Sequence, residues 1–303
     1  MIYTVTLNPA LDYVLRLPTV AYGETFGETN RAETASLHFG GKGINVSCIL
    51  RELGVESHAL GFSAGFTGDA LEAYLAERDI PCRLIRLPDG LTRINVKLKT
   101  ADGETEINAA GPRIPAEALE GLMAELDTLA EGDTLVLAGS IPPSLPRDLY
   151  GRMAARLAGR GVRLVVDAEG EALRATIPHR PFLIKPNRAE LEGLAGRPLP
   201  TRNDLLAAAS ALQEAGAQNL LVSLGGDGAL LLDEHGGIHE APAAVITPVN
   251  TVGAGDSMLA GFLAGLASGY PTALRWGIAA GGATAASEEL ATGNEIRALL
   301  GEI

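Results

Sequence analysis

Two cysteines, Cys48 and Cys82, are all that the 303 residues contain. That is too few for a disulfide framework in a chain of this size, and no zinc-type spacing exists. A reducing, cytoplasmic setting is the expectation. Aromatic residues are scarce at 4%, so the interior has to pack on Leu, Ala, Val and Ile. Positive charge is in deficit: 24 Lys and Arg stand against 37 Asp and Glu, a formal net charge of -13. This argues against nucleic acid or an anionic membrane surface as the main partner, because both require a cationic face. A single small anion needs only a few local cations and backbone amides. No apolar run approaches the roughly 20 residues that cross a bilayer. The opening stretch MIYTVTLNPA has no basic region, and its apolar run is interrupted, so it does not read as a signal peptide.

What the chain does have is alternation of short apolar strands with amphipathic helices. Strands are expected at 2–7, 57–62, 133–139, 162–168, 182–187 and 219–226, with another apolar segment at 243–249. Helices are expected at 43–54, 69–78, 147–158, 188–195 and 204–215. Nearly continuous apolar strands separated by helices predict an α/β fold, a mostly parallel sheet covered on both faces. Two segments break the rhythm. Residues 10–38 are polar with little periodicity, and 91–110 reads as a hairpin turning at Asp102-Gly103. Together they are expected to form a small β lid, with insertions at about 10–38 and 89–112 on a single domain spanning 1–303. Repeats and Pro- or Ser-rich linkers are absent.

Ligands of open parallel sheets bind at the carboxyl ends of the strands. Asn8 and Asp12 follow the first expected strand, and Gly139 and Ser140 follow 133–138. Asp167 ends its strand at 162–166, Lys185, Asn187 and Glu190 follow 182–184, and Gly225, Gly226 and Gly228 follow 219–223. Acids, amides, a lysine and glycines thus collect on one rim, as a site for a polyanion and a metal requires. Gly40-Gly41-Lys42-Gly43 is not a Walker A loop, since Gly43 stands where Ser or Thr is needed, and no G-x-G-x-x-G opens a helix.

Each signal also has a structural explanation. Glycines before a helix can be a tight connection, and Asn187 with Glu190 fits a capping box. Asp167 can cap the turn that follows it, and the glycines of 223–232 suit a hairpin turn. Arg93, Asn95, Lys97 and Lys99 share one face of an alternating strand, where Lys97 and Lys99 are expected to be solvated. The sharpest segment is Asn250-Thr-Val-Gly-Ala-Gly-Asp-Ser-Met258. Gly253, Ala254 and Gly255 would leave amides facing open space at a helix start, beside the Asp256 carboxylate. That pairing suits phosphoryl transfer, with the amides receiving charge and Asp256 the hydroxyl proton. A base near its ordinary pKa suffices there, because the proton leaves late in a loose transition state.

FGGKGINVS at 39–47 and NTVGAGDSM at 250–258 resemble the two signatures of the ribokinase-like PfkB carbohydrate kinases. AGSIPPSLP, VVDAEGEAL, KPNRAEL, SLGGDGAL and ATAASEELATG follow in family order, so the likeness covers essentially the whole chain. TLNPALD, TRINVK and TEINAAGP are most similar to the phosphosugar branch, the 1-phosphofructokinases and tagatose-6-phosphate kinases.

The resemblance implies a three-layer α/β/α ribokinase-like fold with a β-sheet lid. It implies ATP-dependent phosphorylation of fructose 1-phosphate to fructose 1,6-bisphosphate with Mg²⁺, with tagatose 6-phosphate or fructose 6-phosphate as the alternative substrate. A non-catalytic sugar-phosphate sensor is the reading from another class; retention of Asp256 opposes it. By position, Asp256 resembles the catalytic base, with the anion hole formed by Gly253, Ala254 and Gly255. Asp12, Gly41 and Asn45 resemble sugar contacts, Lys42 and Arg93 the clamp on the substrate phosphate, and Asn95 and Ser140 complete that set. Lys185, Asn187, Ser223, Gly225, Gly226, Gly228, Gly255 and Gly282 are assigned to ATP. Glu190 and Asp167 are assigned to the metal, through water. A homodimer formed through the lid is expected, without nucleic-acid or membrane partners.

Overall fold

The chain is described from a computed structural model, which places residues 1–20 and 29–303. The expected lid segment at 10–38 therefore includes residues 21–28, which lie outside the described residues. The strands are β1 (Ile2–Thr6), β2 (Ala10–Arg16), β3 (Thr34–Gly40), β4 (Ser57–Ala64), β5 (Cys82–Leu87), β6 (Arg93–Thr100), β7 (Gly103–Ile107), β8 (Thr134–Ala138), β9 (Arg163–Asp167), β10 (Leu183–Ile184), β11 (Asn219–Ser223), β12 (Ala229–Leu232) and β13 (Ile238–Ala241). The helices are α1 (Lys42–Glu52), α2 (Gly65–Glu77), α3 (Ala116–Leu126), α4 (Leu149–Leu157), α5 (Gly170–Arg174), α6 (Arg188–Ala195), α7 (Arg202–Glu214), α8 (Ala254–Gly265), α9 (Tyr270–Ala285) and α10 (Gly293–Leu300).

Nine strands form one sheet in the order β13-β12-β11-β10-β9-β8-β1-β4-β5. The run from β11 to β5 is parallel, and β12 and β13 add antiparallel strands at one edge. Alternation along the strands divides the core in two. Leu135 and Leu137 of β8 face α3 and α4, whereas Val136 and Ala138 face α1, α8 and α9. The result is the three-layer α/β/α arrangement that the resemblance implies. Burying each Leu contributes about 1.5–3 kcal/mol, which makes up for the shortage of aromatics.

The second sheet has the order β3-β2-β6-β7. The hairpin at 91–110 is present as β6 and β7, closing at Ala101-Asp102. Residues 10–16 and 34–40 pair antiparallel, Asp12 opposite His38, and β2 also runs parallel to β6, Asp12 opposite Asn95. One face of this sheet is polar, with Asp12, His38, Asn95 and Lys97. The other carries Tyr13, Leu37, Ile94 and Ile107, exposed by 39%, 48%, 38% and 58%.

One expected apolar segment is not a strand. Residues 243–249 form no ladder, because Pro242 and Pro248 lack the N–H that pairing needs. Val249 N and Asn250 N instead donate to Ala285 O at the end of α9, at 2.8 and 3.2 Å. At the far edge of the sheet, Cys82–Leu87, which is not among the expected strands, pairs parallel with β4.

Candidate active site

The site grows from the close approach of α1 to β1. Ile44 N donates to Thr6 Oγ1 at 3.0 Å, and Thr4 Oγ and Ser47 Oγ are hydrogen-bonded at 2.8 Å. A Cβ on Gly43 would stand 2.6 Å from Thr6 Oγ1 and 2.7 Å from Val5 O, so glycine is required there. With α1 pressed onto the sheet, Lys42 and Asn45 project over its carboxyl edge. Across from them, Gly253 caps α8 at φ 79°, in the left-handed region that favours glycine. No side chain caps this helix. Ala254 N turns back to Thr251 O at 3.3 Å, and Ser257 N makes the first intrahelical bond, to Gly253 O. The amides of Gly255 and Asp256 have no intrahelical acceptor.

Asp256 sits at this helix start, 6% exposed. Asn45 Nδ2 donates to its Oδ2 at 2.8 Å. Burial is the largest influence on it, followed by the negative charge of Asp167; together they outweigh Lys42, Asn45 and Lys185 and push its pKa up to about 7. A base near its ordinary value would suffice, but desolvation makes this carboxyl more basic than that.

Asp167 ends β9 and is 1% exposed. Lys42 Nζ stands 3.0 Å from its Oδ1 and Lys185 Nζ 3.0 Å from its Oδ2. Burial would raise the Asp167 pKa, but the two ammoniums outweigh it and hold the group below the usual carboxylate range. Burial likewise would lower Lys42; the charges of Asp167, Asp256 and Glu190 outweigh it and keep Lys42 protonated well above the ordinary lysine value. An Asp with both oxygens against ammoniums is a poor metal ligand, so the metal assignment of Asp167 is not carried forward. Lys42 thus belongs to the Asp167–Asp256 group, while Arg93 lies on the small sheet near Asp12.

That second group is held together by β6. Asn95 Nδ2 donates to Asp12 Oδ1 at 2.8 Å, and Ala109 N donates to Asn95 Oδ1 at 3.2 Å. Arg93 Nη1 donates to Ala109 O at 3.2 Å, and its buried Nε has no protein partner. Lys97 is not solvated: it is 6% exposed, with Nζ 3.4 Å from Asp12 Oδ2 and 3.3 Å from Glu106 Oε1. Its position on the Asp12 face follows from strand alternation, but its burial comes from β7 folding alongside. Gly41 joins the two groups, since it follows the last pair of β2 and β3 and accepts Asn45 N at the start of α1. Ser140 is exposed in the turn after β8.

On the other side, Asn187 caps α6. Its Oδ1 accepts Glu190 N and its own N donates to Glu190 Oε2, both at 2.8 Å. The capping box is therefore formed, which leaves Glu190 Oε1 without a cap bond. Ser223 bridges to Asn187, and the chain turns tightly through Gly225 to Gly228, with Gly228 N donating to Gly225 O at 3.0 Å. The space beside Gly225 and Gly226 is open. Gly282 is packed instead: a Cβ there would meet Leu299 at 3.0 Å and Ala244 at 3.2 Å, so helix packing accounts for it.

A family model described as pfkB family carbohydrate kinase matches residues 5–297. The chain belongs to the PfkB family of carbohydrate kinases. A 1-phosphofructokinase of Bacillus subtilis is 43% identical over 305 residues, covering 100% of this chain and 98% of its own length. A D-tagatose-1-phosphate kinase of Bacillus licheniformis is 34% identical over 297 residues, covering 96% and 94%. The tetrameric inhibited form of phosphofructokinase-2 from Escherichia coli superimposes with a TM-score of 0.90 at 29% identity, covering 99% of this chain and 98% of that one. The chemistry this PfkB rim serves is thus transfer of a phosphoryl group from ATP to a sugar hydroxyl. Among the described residues, no three His, Cys, Asp or Glu side chains gather where they could hold a metal. No described helix is long and apolar enough to cross a membrane.

Proposed function

We propose that this protein phosphorylates D-fructose 1-phosphate at its 6-hydroxyl, giving D-fructose 1,6-bisphosphate and ADP. The observation that carries the reading is the buried Asp256 carboxylate beside unpaired amides at the start of α8, with Asn45 fixing its orientation. The substrate oxygen attacks the γ-phosphorus, its bond to the ADP oxygen breaks, and Asp256 accepts the hydroxyl proton. The amides of Gly255 and Asp256, with Lys42 and Lys185 close by, receive the charge that moves with the phosphoryl group. Asp12 and Asn45 orient the sugar. Arg93, whose Nε lacks a protein partner, takes the phosphate that the sugar already carries. The Gly225–Gly228 turn and the open start of α6 receive the nucleotide.

Mg²⁺ fits as an ion carried on the ATP phosphates, with the free oxygen of Glu190 reaching it through water; bound there it neutralises phosphate charge. Two free cysteines and a deficit of basic residues support a cytoplasmic enzyme without nucleic-acid or membrane partners. We assign the exposed apolar face of the small sheet to a homodimer through the lid.

A relative acting on D-tagatose 1-phosphate supports a second reading, in which the C4 epimer is preferred. An ATP-coupled assay over fructose 1-phosphate, tagatose 1-phosphate, tagatose 6-phosphate, fructose 6-phosphate and fructose decides between them. The highest kcat/KM is expected for fructose 1-phosphate. A higher value with either tagatose phosphate or with fructose 6-phosphate overturns the substrate, and binding without turnover throughout supports a sensor.

A further inference from the structure

Lys97 has no part in the reaction above, yet it is the most enclosed cation of the small sheet. Its ammonium lies between Asp12 Oδ2 and Glu106 Oε1, and it is 6% exposed. The other Asp12 oxygen accepts Asn95 Nδ2 at 2.8 Å, so both ends of this carboxylate are gripped from β6. Asp12 and Arg93 lie on the same polar face, and the Asp12 charge acts on the guanidinium. A carboxylate without its own counter-cation would compete with any phosphate for Arg93, because both are acceptors that suit a guanidinium fork.

We propose that Lys97 is a positioning residue for the sugar-phosphate site: it neutralises and orients Asp12, and so keeps Arg93 available to the substrate phosphate. The proposal rests on the reading of Asp12 and Arg93 as substrate contacts. Glu106 in turn keeps Lys97 on β6 and extends the chain of contacts to β7, so that three strands hold one carboxylate. Lys97 does not touch substrate; it acts through its neighbours. Its length and charge both matter, since the ammonium has to reach Asp12 from two residues beyond Asn95.

The test is a mutant cycle on the full-length enzyme, with the wild-type protein's best sugar phosphate as acceptor. K97M is expected to raise KM for the sugar phosphate by about 10- to 100-fold while changing KM for ATP and kcat by less than about 3-fold. K97R, which restores a cation, is expected to return KM to within about 5-fold of wild type. In a D12N background, K97M should shift KM by less than about 2-fold, because the carboxylate it positions is gone. Equal shifts in both KM values, additivity in the D12N background, or an equally impaired K97R would overturn the proposal and leave Lys97 a purely structural ion pair. If K97M fails to fold, K97Q replaces it in the same cycle and the same criteria apply. The acceptor is chosen from the wild-type assay, so an error in the preferred sugar phosphate leaves this comparison intact. A wild type without turnover, by contrast, overturns the enzymatic reading itself.

Discussion

Burial is what separates Asp256 from the other acids on the rim. Asp167 is buried more deeply but is flanked by two ammoniums; Asp256 has one amide donor, so desolvation prevails. A base has to be ionised to accept a proton, so kcat/KM is expected to fall as pH drops through about 7, the value burial imposes. Removing the Asp167 charge in D167N leaves Lys42 and Lys185 acting on Asp256 unopposed. The acid limb of the pH profile should then move to lower pH, and an unmoved or raised limb contradicts this electrostatic account.

The same shift sets a stability cost. A carboxyl whose pKa is higher in the folded state binds more protons there, so its contribution to stability falls as pH rises from the ordinary carboxylate range to about 7. D256N removes that cost. It is expected to melt no lower than wild type at pH 8, to bind both substrates, and to lose kcat by at least about 100-fold. Differential scanning calorimetry and steady-state kinetics check the two halves; near-normal turnover removes Asp256 from the role of base.

Among the elements, α1 shows how packing places chemistry. Gly43 lets the first turn of α1 lie against Val5 O and Thr6 Oγ1, and that turn carries Lys42 and Asn45 over the rim. Gly43→Ala forces the helix outward and is expected to cost about 1–3 kcal/mol in denaturant unfolding, with kcat reduced as well. Thr201→Ala provides the contrast. Its capping box at the start of α7 costs about 0.5–2 kcal/mol when removed, but α7 carries none of the residues assigned to the site, so kcat should hold. Loss of activity in Thr201→Ala and not in Gly43→Ala would reverse the assignment of these helices.

For the whole molecule, the two faces of the small sheet have different tasks. Its polar face carries Asp12, Arg93, Asn95 and Lys97 toward the start of α1. Its apolar face leaves Tyr13, Leu37, Ile94 and Ile107 exposed, a continuous cross-strand patch that a second copy would cover. Sedimentation velocity is expected to show a dimer, and Leu37→Glu combined with Ile107→Glu a monomer. A wild-type monomer at micromolar concentration would remove the lid from the interface. Because this sheet also carries the residues we assign to the substrate, the monomeric variant should show a raised KM for the sugar phosphate.

Much of this was legible because it is local. The capping box joins Asn187 and Glu190, three positions apart, the 91–110 hairpin follows from alternation and its turn, and the β/α rhythm follows from the period of the apolar residues. Residues 243–249 misled, because an apolar run carries no mark of whether Pro248 and the preceding Pro242 leave enough donors for a ladder. Lys97 misled too: alternation assigns a side to a residue, but not what will cover that side. The sequence by itself determined the fold class, the rim and the candidate base, since periodicity, caps and glycine placement are written in neighbouring residues. Only the tertiary structure decided that Lys42 meets Asp167, 125 positions away, and that Asp256 loses enough water to become basic. Those outcomes depend on which charges folding brings within a few ångströms and on how much solvent it removes, and neither is a property of a local stretch of chain.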